Sequence, residues 1–281
     1  MTSYKKIENN ISTIIFSSIV FLVTLTTVLP FVWMISTSFK IEADVFNFPI
    51  EWIPQRWNII ENYSEIFTGK YNFALFYMNT VKIAILATAA QVTVSAMGAY
   101  GFSKIRFKFR DAIFLLYIST LMISEQVTLI PRFMVFKWLN LFNTHLGLVL
   151  LLTFSTYGIF LLRQFMITIP ESLSESAKLD GASHFRIFWQ IIFPLTKPAI
   201  ATLATLKFVW TWNDYQHPLV FLSSRHLFVI QQGIRQFASE SGQFFALTMT
   251  AAVIATVPLI IVFIFFQRYI IAGITVGAIK G

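Results

Sequence analysis

Cysteine is absent from all 281 residues, which excludes a disulfide framework and any thiolate metal site. Charge is scarce as well. Only 12% of the residues are Asp, Glu, Lys or Arg, against roughly 25% in an ordinary soluble domain, and a soluble fold of this composition would expose too much apolar surface. The phosphate-cradling pattern Gly-x-x-x-x-Gly-Lys-Ser/Thr does not occur. Gly69-Lys70 lacks both the upstream glycine and the following hydroxyl residue, so any ATP chemistry belongs to a partner. There is no His-Glu-x-x-His, and His145, His184, His217 and His226 stand apart without ligand spacing. They read as surface or capping residues, and no metal site is expected.

What the chain has in abundance is apolar length. Hydrophobic residues make up 56% of it, and six runs approach or exceed the roughly 20 residues that a helix needs to cross a bilayer. They cover 11–39, 76–102, 112–130, 145–165, 195–212 and 246–271. Pro30 is a candidate kink in the first, Pro131 is expected to stop the third, and Pro258 lies inside the last. The first run continues apolar beyond Pro30 and lacks a small-residue cleavage site, so it reads as an anchor rather than a cleaved signal. The expected fold class is an all-α polytopic membrane protein with six transmembrane helices. No internal repeat or second domain is visible, so residues 1–281 read as one membrane domain.

A net charge of +8 raises the question of nucleic acid. The basic residues, however, fall in short clusters between apolar runs rather than on one face, and topology accounts for them better. One set of segments holds the cluster Lys104-Ile-Arg-Phe-Lys-Phe-Arg110 together with Lys5, Lys6, Arg163, Lys178, Arg186, Lys197, Arg268 and Lys280. The opposite set is poorer and spread over longer loops. The richer side is expected to be cytoplasmic, with both termini there. Residues 41–75 are too polar to span. Their Trp52, Trp57, Tyr63 and Tyr71 suit the outer membrane interface.

Residues 170–194 form a compact polar insertion between apolar runs. Ser172-Leu-Ser-Glu175 fits a capping box that would start a short helix, and Asp180-Gly181 would end it, glycine supplying the left-handed conformation. Ser183 would cap a second helix with Phe185, Phe188, Trp189 and Ile192 at helical spacing. Small residues on the first helix would let another protein approach closely, and Pro194 would break the chain before it re-enters the bilayer. An ordinary interhelical connection has the same spacing.

Three ionisable groups lie inside runs. A charge at mid-bilayer costs on the order of 2.5–3.5 kcal/mol, so Lys82, Glu125 and Lys207 need compensation. Counting along continuous helices puts all three about five or six residues, roughly 8–9 Å, from the outer ends. Glu125 is expected to pair with Lys207 or Lys82, with Gln126 nearby, facing a hydrated cavity. Alternatively both lysines snorkel to the surface. Trp210, Trp212 and Asn213 are types that hold sugars, and tryptophan there also serves as an interface anchor.

The pattern Glu175-Ser-Ala177, Gly181, Ile191 and Phe193-Pro194 resembles the signature loop of permease subunits in binding-protein-dependent ATP-binding-cassette importers, with Ser176 and Phe193 standing where that family has Ala and Leu. Gln126-Val-Thr-Leu-Ile-Pro131, Trp212-Asn213-Asp214 with Pro218-Leu-Val-Phe221, Phe266-Gln267-Arg268-Tyr269 and the final Gly273–Gly281 stretch resemble the second permease of maltose-type carbohydrate importers. That resemblance implies a type I importer permease fold whose loop is a cytoplasmic coupling helix. Glu175, Ser176, Ala177, Asp180, Gly181, Ala182 and Pro194 would dock on an ATPase, and Gly277, Lys280 and Gly281 would form a tail reaching toward it. The implied partners are a second permease, two ATPase subunits, an extracytoplasmic solute-binding protein, the lipid bilayer and a carbohydrate, in a bacterial or archaeal cytoplasmic membrane. No cofactor is expected on this chain, ATP and Mg being held by the ATPases. Glycerol phosphate or another polyol is the alternative substrate. A channel, a secondary transporter or an intramembrane enzyme is more remote, because none needs a coupling helix and no catalytic pair is evident.

Overall fold

A computed structural model of the chain describes the backbone of residues 2–69, 72–237 and 244–278, and the side chains of residues 13–69, 72–237 and 244–267. The described residues are helices and connections, and their only extended pairing is an isolated bridge between Lys40 and Trp57. Three stretches are long and apolar enough to cross a membrane by themselves: Thr13–Ser38, Phe73–Lys104 and Phe245–Gln267. Three further bent helix pairs bring the number to six if each pair is one span. Internal packing divides the chain into two compact units, residues 1–73 with 234–256 and residues 74–233 with 257–281. The reason lies in the polar segment after the first helix, which builds a buried framework of its own.

In the first unit, α1 (Thr2–Ser38) runs through Pro30 as one helix. Its Phe16, Phe21 and Leu22 are all more than half exposed, a surface that hydrocarbon solvates and water does not. Beyond it the chain folds around Lys40, which is only 1% exposed. The Lys40 ammonium donates to Glu51 O at 2.6 Å and lies 4.5 Å above the Trp33 ring, so its buried charge has a carbonyl and an aromatic face. Asn62, from α2 (Ile59–Thr68), donates to Ser38 O and Lys40 O at 3.0 and 2.8 Å. Arg56 grips Asp44 in a forked pair, and that hydrogen bond holds the Asp44 carboxyl below the usual aspartate range. Glu42 accepts the first amides of the last helix, Phe245 N–H at 2.7 Å and Ala246 N–H at 2.9 Å, meeting donors that a helix start leaves unpaired.

The second unit is organised on α3 (Phe73–Lys104). Its Ala84, Ala87, Ala96 and Ala99 are fully buried, and small side chains let neighbouring backbones come close. The core around Val92, Ala96 and Tyr100 is completed by Leu162, Met166, Ile187, Ile192 and Leu203.

The bent pairs correct the sequence reading of the middle spans. The third run is no continuous helix and Pro131 does not stop it. α4 (Arg110–Ser119) tightens into a 3-10 turn, Ile123 and Ser124 take extended backbone, and α5 (Glu125–Trp138) starts afresh with Pro131 inside it. The bend is 101°. A carboxylate in the first turn favours a helix start at Glu125, whereas Pro131 removes one hydrogen bond from a helix that keeps the rest. The fourth run breaks by 44° between α6 (His145–Thr153) and α7 (Thr156–Met166). Ser155 caps the new start by accepting Gly158 N–H at 3.0 Å.

Candidate functional site

The polar insertion folds as α8 (Glu171–Leu179), followed by α9 (His184–Ile187), a π turn over Phe188–Ile192 and α10 (Phe193–Leu195). The expected capping box does not form. Pro170, with ψ at 135°, is the residue before the first turn, and Glu171 supplies the acid at the helix start, so Ser172 already lies inside the helix. The helix end is as the sequence anticipates. Gly181 has φ of 79°, its N–H donates to Lys178 O at 3.0 Å, and Ala182 N–H donates to Ala177 O at 2.9 Å, the doubled bond of a glycine-terminated helix. Ser183 caps α9 by accepting Arg186 N–H.

The faces differ from expectation. Ala177 and Ala182 pack inward against the core, so these small residues bring the helix close to its own body rather than to a visitor. Glu175, Ser176, Asp180 and Gly181 are exposed, as is Leu179, at 89%. On the following segment Phe188 and Ile192 turn inward while Phe185 and Trp189 stay outside. The chain breaks at Thr196, before α11 (Lys197–Asn213), with a bend of 78°. Pro194 is not the break, because it sits in a first turn where its missing N–H costs nothing.

The basic cluster holds this helix in place. Lys104 Nζ donates to Ile169 O at 2.6 Å, and Arg106 pairs with Glu171 at 2.9 Å. Arg163 donates to Phe102 O at 3.1 Å and to Asp111 at 3.2 Å, and stacks 3.9 Å from the Phe114 ring centre. Tyr100 OH meets His184 Nδ1 at 3.2 Å. The end of α3 and the residues just after it are thus bound to the start of the surface helices, and Arg163 ties α3, α4 and α7 to one another.

Away from this end, α11 lines a cavity of about 280 Å³. Lys207, Trp210, Thr211 and Asp214 face it at positions i, i+3, i+4 and i+7, one stripe of a helix. Glu125, Leu152, Gln216 and His217 complete the wall, the last two from α12 (Gln216–Phe221). His217, 7% exposed, stands between two carboxylates. Its Nδ1 is 2.8 Å from Asp214 Oδ2, its backbone N–H donates to Asp214 Oδ1 at 3.1 Å, and its Nε2 lies 3.1 Å from Glu125 Oε1 at an angle short of a hydrogen bond. Burial opposes the imidazolium, but the hydrogen bond and charge of Asp214, joined by the charge of Glu125, outweigh it and hold the His217 pKa above the ordinary histidine value. Arg132 reaches Glu125 at 3.5 Å.

Of the seven expected path residues, Glu125, Lys207 and Trp210 meet at this cavity. Glu125 pairs with His217 and Arg132 rather than with a lysine. Lys82 is exposed on α3 and does not line this cavity. Trp212 is fully buried against Tyr77 and Phe208. Asn213 turns back to Val209 O, and Gln126 bonds to Ser124. His217, Asp214 and Thr211 were not anticipated, although a count in steps of three and four from Lys207 reaches Thr211 and Asp214. Among the described residues no group of three His, Asp or Glu side chains is arranged to hold a metal ion. In the expected tail, Gly277 belongs to α14 (Phe245–Ala278), whereas Lys280 and Gly281 lie outside the described residues.

Apolar crossings, a braced surface helix and a polar cavity between broken helices define a polytopic membrane transport subunit. The chain belongs to the family described as "Binding-protein-dependent transport system inner membrane component", which matches residues 91–276. It is 32% identical over 221 residues to the Arabinooligosaccharides transport system permease protein AraQ of Bacillus subtilis (strain 168), covering 79% of both chains. It is 33% identical over 239 residues to the sn-glycerol-3-phosphate transport system permease protein UgpE of Yersinia pestis, covering 83% of this chain and 85% of that one. Among solved structures it resembles a chain of a bacterial ABC transporter involved in the import of the acidic polysaccharide alginate, with a TM-score of 0.83 at 23% identity over 93% of this chain and 97% of the other. The fold is that of a type I ABC importer permease.

Proposed function

We propose that this chain is one of two permease subunits of an ATP-driven importer that moves a carbohydrate across a bacterial or archaeal cytoplasmic membrane by alternating access, both compact units belonging to one transmembrane domain. The observation that carries the coupling half of this reading is α8. It ends on Gly181 in the left-handed conformation, packs its alanines inward and leaves Glu175, Leu179 and Asp180 exposed. A helix fastened to the bundle on one face and bare on the other is suited to transmit a push from a docked ATPase. In this reading α8 and both termini are cytoplasmic. Glu175, Ser176, Asp180 and Gly181 meet the ATPase, while Ala177 and Ala182 hold the helix to the body and Pro194 lies beyond it in α10. The tail Gly277, Lys280 and Gly281 points toward the ATPase pair, which holds ATP and Mg. A second permease completes the membrane core and a solute-binding protein delivers the sugar. The carbohydrate assignment is supported by the arabinooligosaccharide and alginate systems to which the chain is similar. Similarity to a glycerol-3-phosphate permease supports phosphorylated polyols as the second reading.

Deleting the coding sequence should abolish ATP-dependent uptake of at least one labelled sugar or glycerol 3-phosphate, and restoring it should restore that uptake. Glu175→Arg should lower uptake and reduce recovery of an ATPase with the purified chain, while the solute-binding protein keeps its affinity. Unchanged uptake of the whole panel on deletion would defeat the importer reading.

A further inference from the structure

The polar groups that line the α11 cavity are unevenly partnered. Its two carboxylates are already occupied: Asp214 holds His217 through two contacts, and Glu125 faces both His217 and Arg132. Lys207 is different. It is 7% exposed, lines the cavity, and has no hydrogen bond or ion pair among the described residues. One turn further on, the Thr211 hydroxyl is equally buried at 7% and has no hydrogen-bond partner. Trp210 lies between them in the chain and remains 52% exposed, with its ring 5.8 Å from that of Tyr157. Buried polar groups are normally paired because leaving them unpaired is costly. The Thr211 hydroxyl is closed off from solvent, so it is the Lys207 ammonium on the cavity wall that points to a ligand able to satisfy it.

We propose that this cavity binds the anionic group of an acidic carbohydrate, a carboxylate or a phosphate ester, on Lys207, with the sugar ring against Trp210. This rests on the importer reading and narrows its substrate class. Asp214 and Glu125 are engaged by His217 and Arg132, which leaves the Lys207 ammonium as the cavity-lining cation without a hydrogen bond or ion pair among the described residues. Trp210 offers the apolar ring face on which a sugar can lie while the anion fixes its orientation.

The test uses the complete transporter reconstituted in vesicles with its solute-binding protein, and compares uptake of galacturonate oligosaccharides, glucose 1-phosphate and neutral galactose oligosaccharides. Lys207→Gln should raise the KM for whichever anionic probe is carried by about tenfold or more, the loss expected for a charged hydrogen bond. Lys207→Arg should recover part of it, and any neutral sugar transported should be unaffected. Lys207→Met, which keeps the length of the side chain without its charge, should give a similar loss for the same probe and serves if Lys207→Gln does not assemble. The galacturonate and glucose 1-phosphate arms decide between carboxylate and phosphate. Transport of neutral sugars alone, or equal losses for neutral and anionic probes, overturns the proposal and leaves the importer standing. Failure to carry any carbohydrate or phosphate ester removes the importer reading itself.

Discussion

At Gly181 a Cβ would meet no atom within 4 Å, and φ is 79°, so backbone conformation alone requires glycine there. Gly181→Ala should therefore cost about 1–2 kcal/mol and lower the melting temperature of the detergent-purified chain, whereas Gly181→Asn, which tolerates the left-handed region, should lose less. An alanine variant with unchanged melting would contradict this. His217 yields a pH prediction. Its carboxylate neighbours raise its pKa above the ordinary value near 6.5, so its contribution to stability is full below that unfolded value and is lost as pH rises through the folded one. Melting temperature should fall as pH rises above 6.5, and His217→Gln should flatten that slope. An identical slope in the variant would exclude His217 as its source. The residue scale was partly open to sequence reading. Gly181 and Lys207 stood out because glycine after a helix and charge within an apolar run each break a local rule. His217 did not, because Glu125 is far away in sequence and the contact exists only after α5 has turned.

Among the elements, α8 has little apolar area of its own to bury and depends on its attachments. Arg106 and Glu171 are largely exposed, at 78% and 53%, so Arg106→Ala should cost at most about 1 kcal/mol. Arg163 is only 15% exposed and joins α3, α4 and α7 through Phe102 O, Asp111 and Phe114. Lysine has neither the fork nor the plane to keep all three contacts, so Arg163→Lys should destabilise by about 1–3 kcal/mol, read from thermal melting in detergent. A smaller effect than that of Arg106→Ala would mean the brace lies elsewhere. The basic cluster near Lys104 reads from sequence as a topology signal, and the fold adds a mechanical use that no charge count reveals. The long helices α1, α3 and α14 were legible because a sustained apolar run has one solution in a bilayer. The broken pairs were not, since an extended Ile123-Ser124 or Phe154-Ser155 changes no composition.

For the whole molecule, orientation is the property that Lys and Arg counts address, and the lack of cysteine makes it straightforward to test. Single variants Phe48→Cys, at a position 96% exposed, and Glu175→Cys introduce the only thiol in the chain. A membrane-impermeant maleimide should label the first in intact cells and the second only after permeabilisation. The reverse pattern would invert the proposed topology and detach α8 from any cytoplasmic ATPase. Apolar length and composition were enough to decide that this protein lives in a membrane as helices, because unsatisfied backbone has no other refuge there. Local chemistry decided that a short helix ends at Gly181, because a left-handed residue without a Cβ is a property of one position. Only the tertiary structure decided which face of that helix is free, where the middle spans bend, and that Lys207 shares a cavity with Glu125, Asp214 and His217. Those outcomes depend on side chains far apart in sequence competing for the same space and the same charge, and no local pattern records who wins.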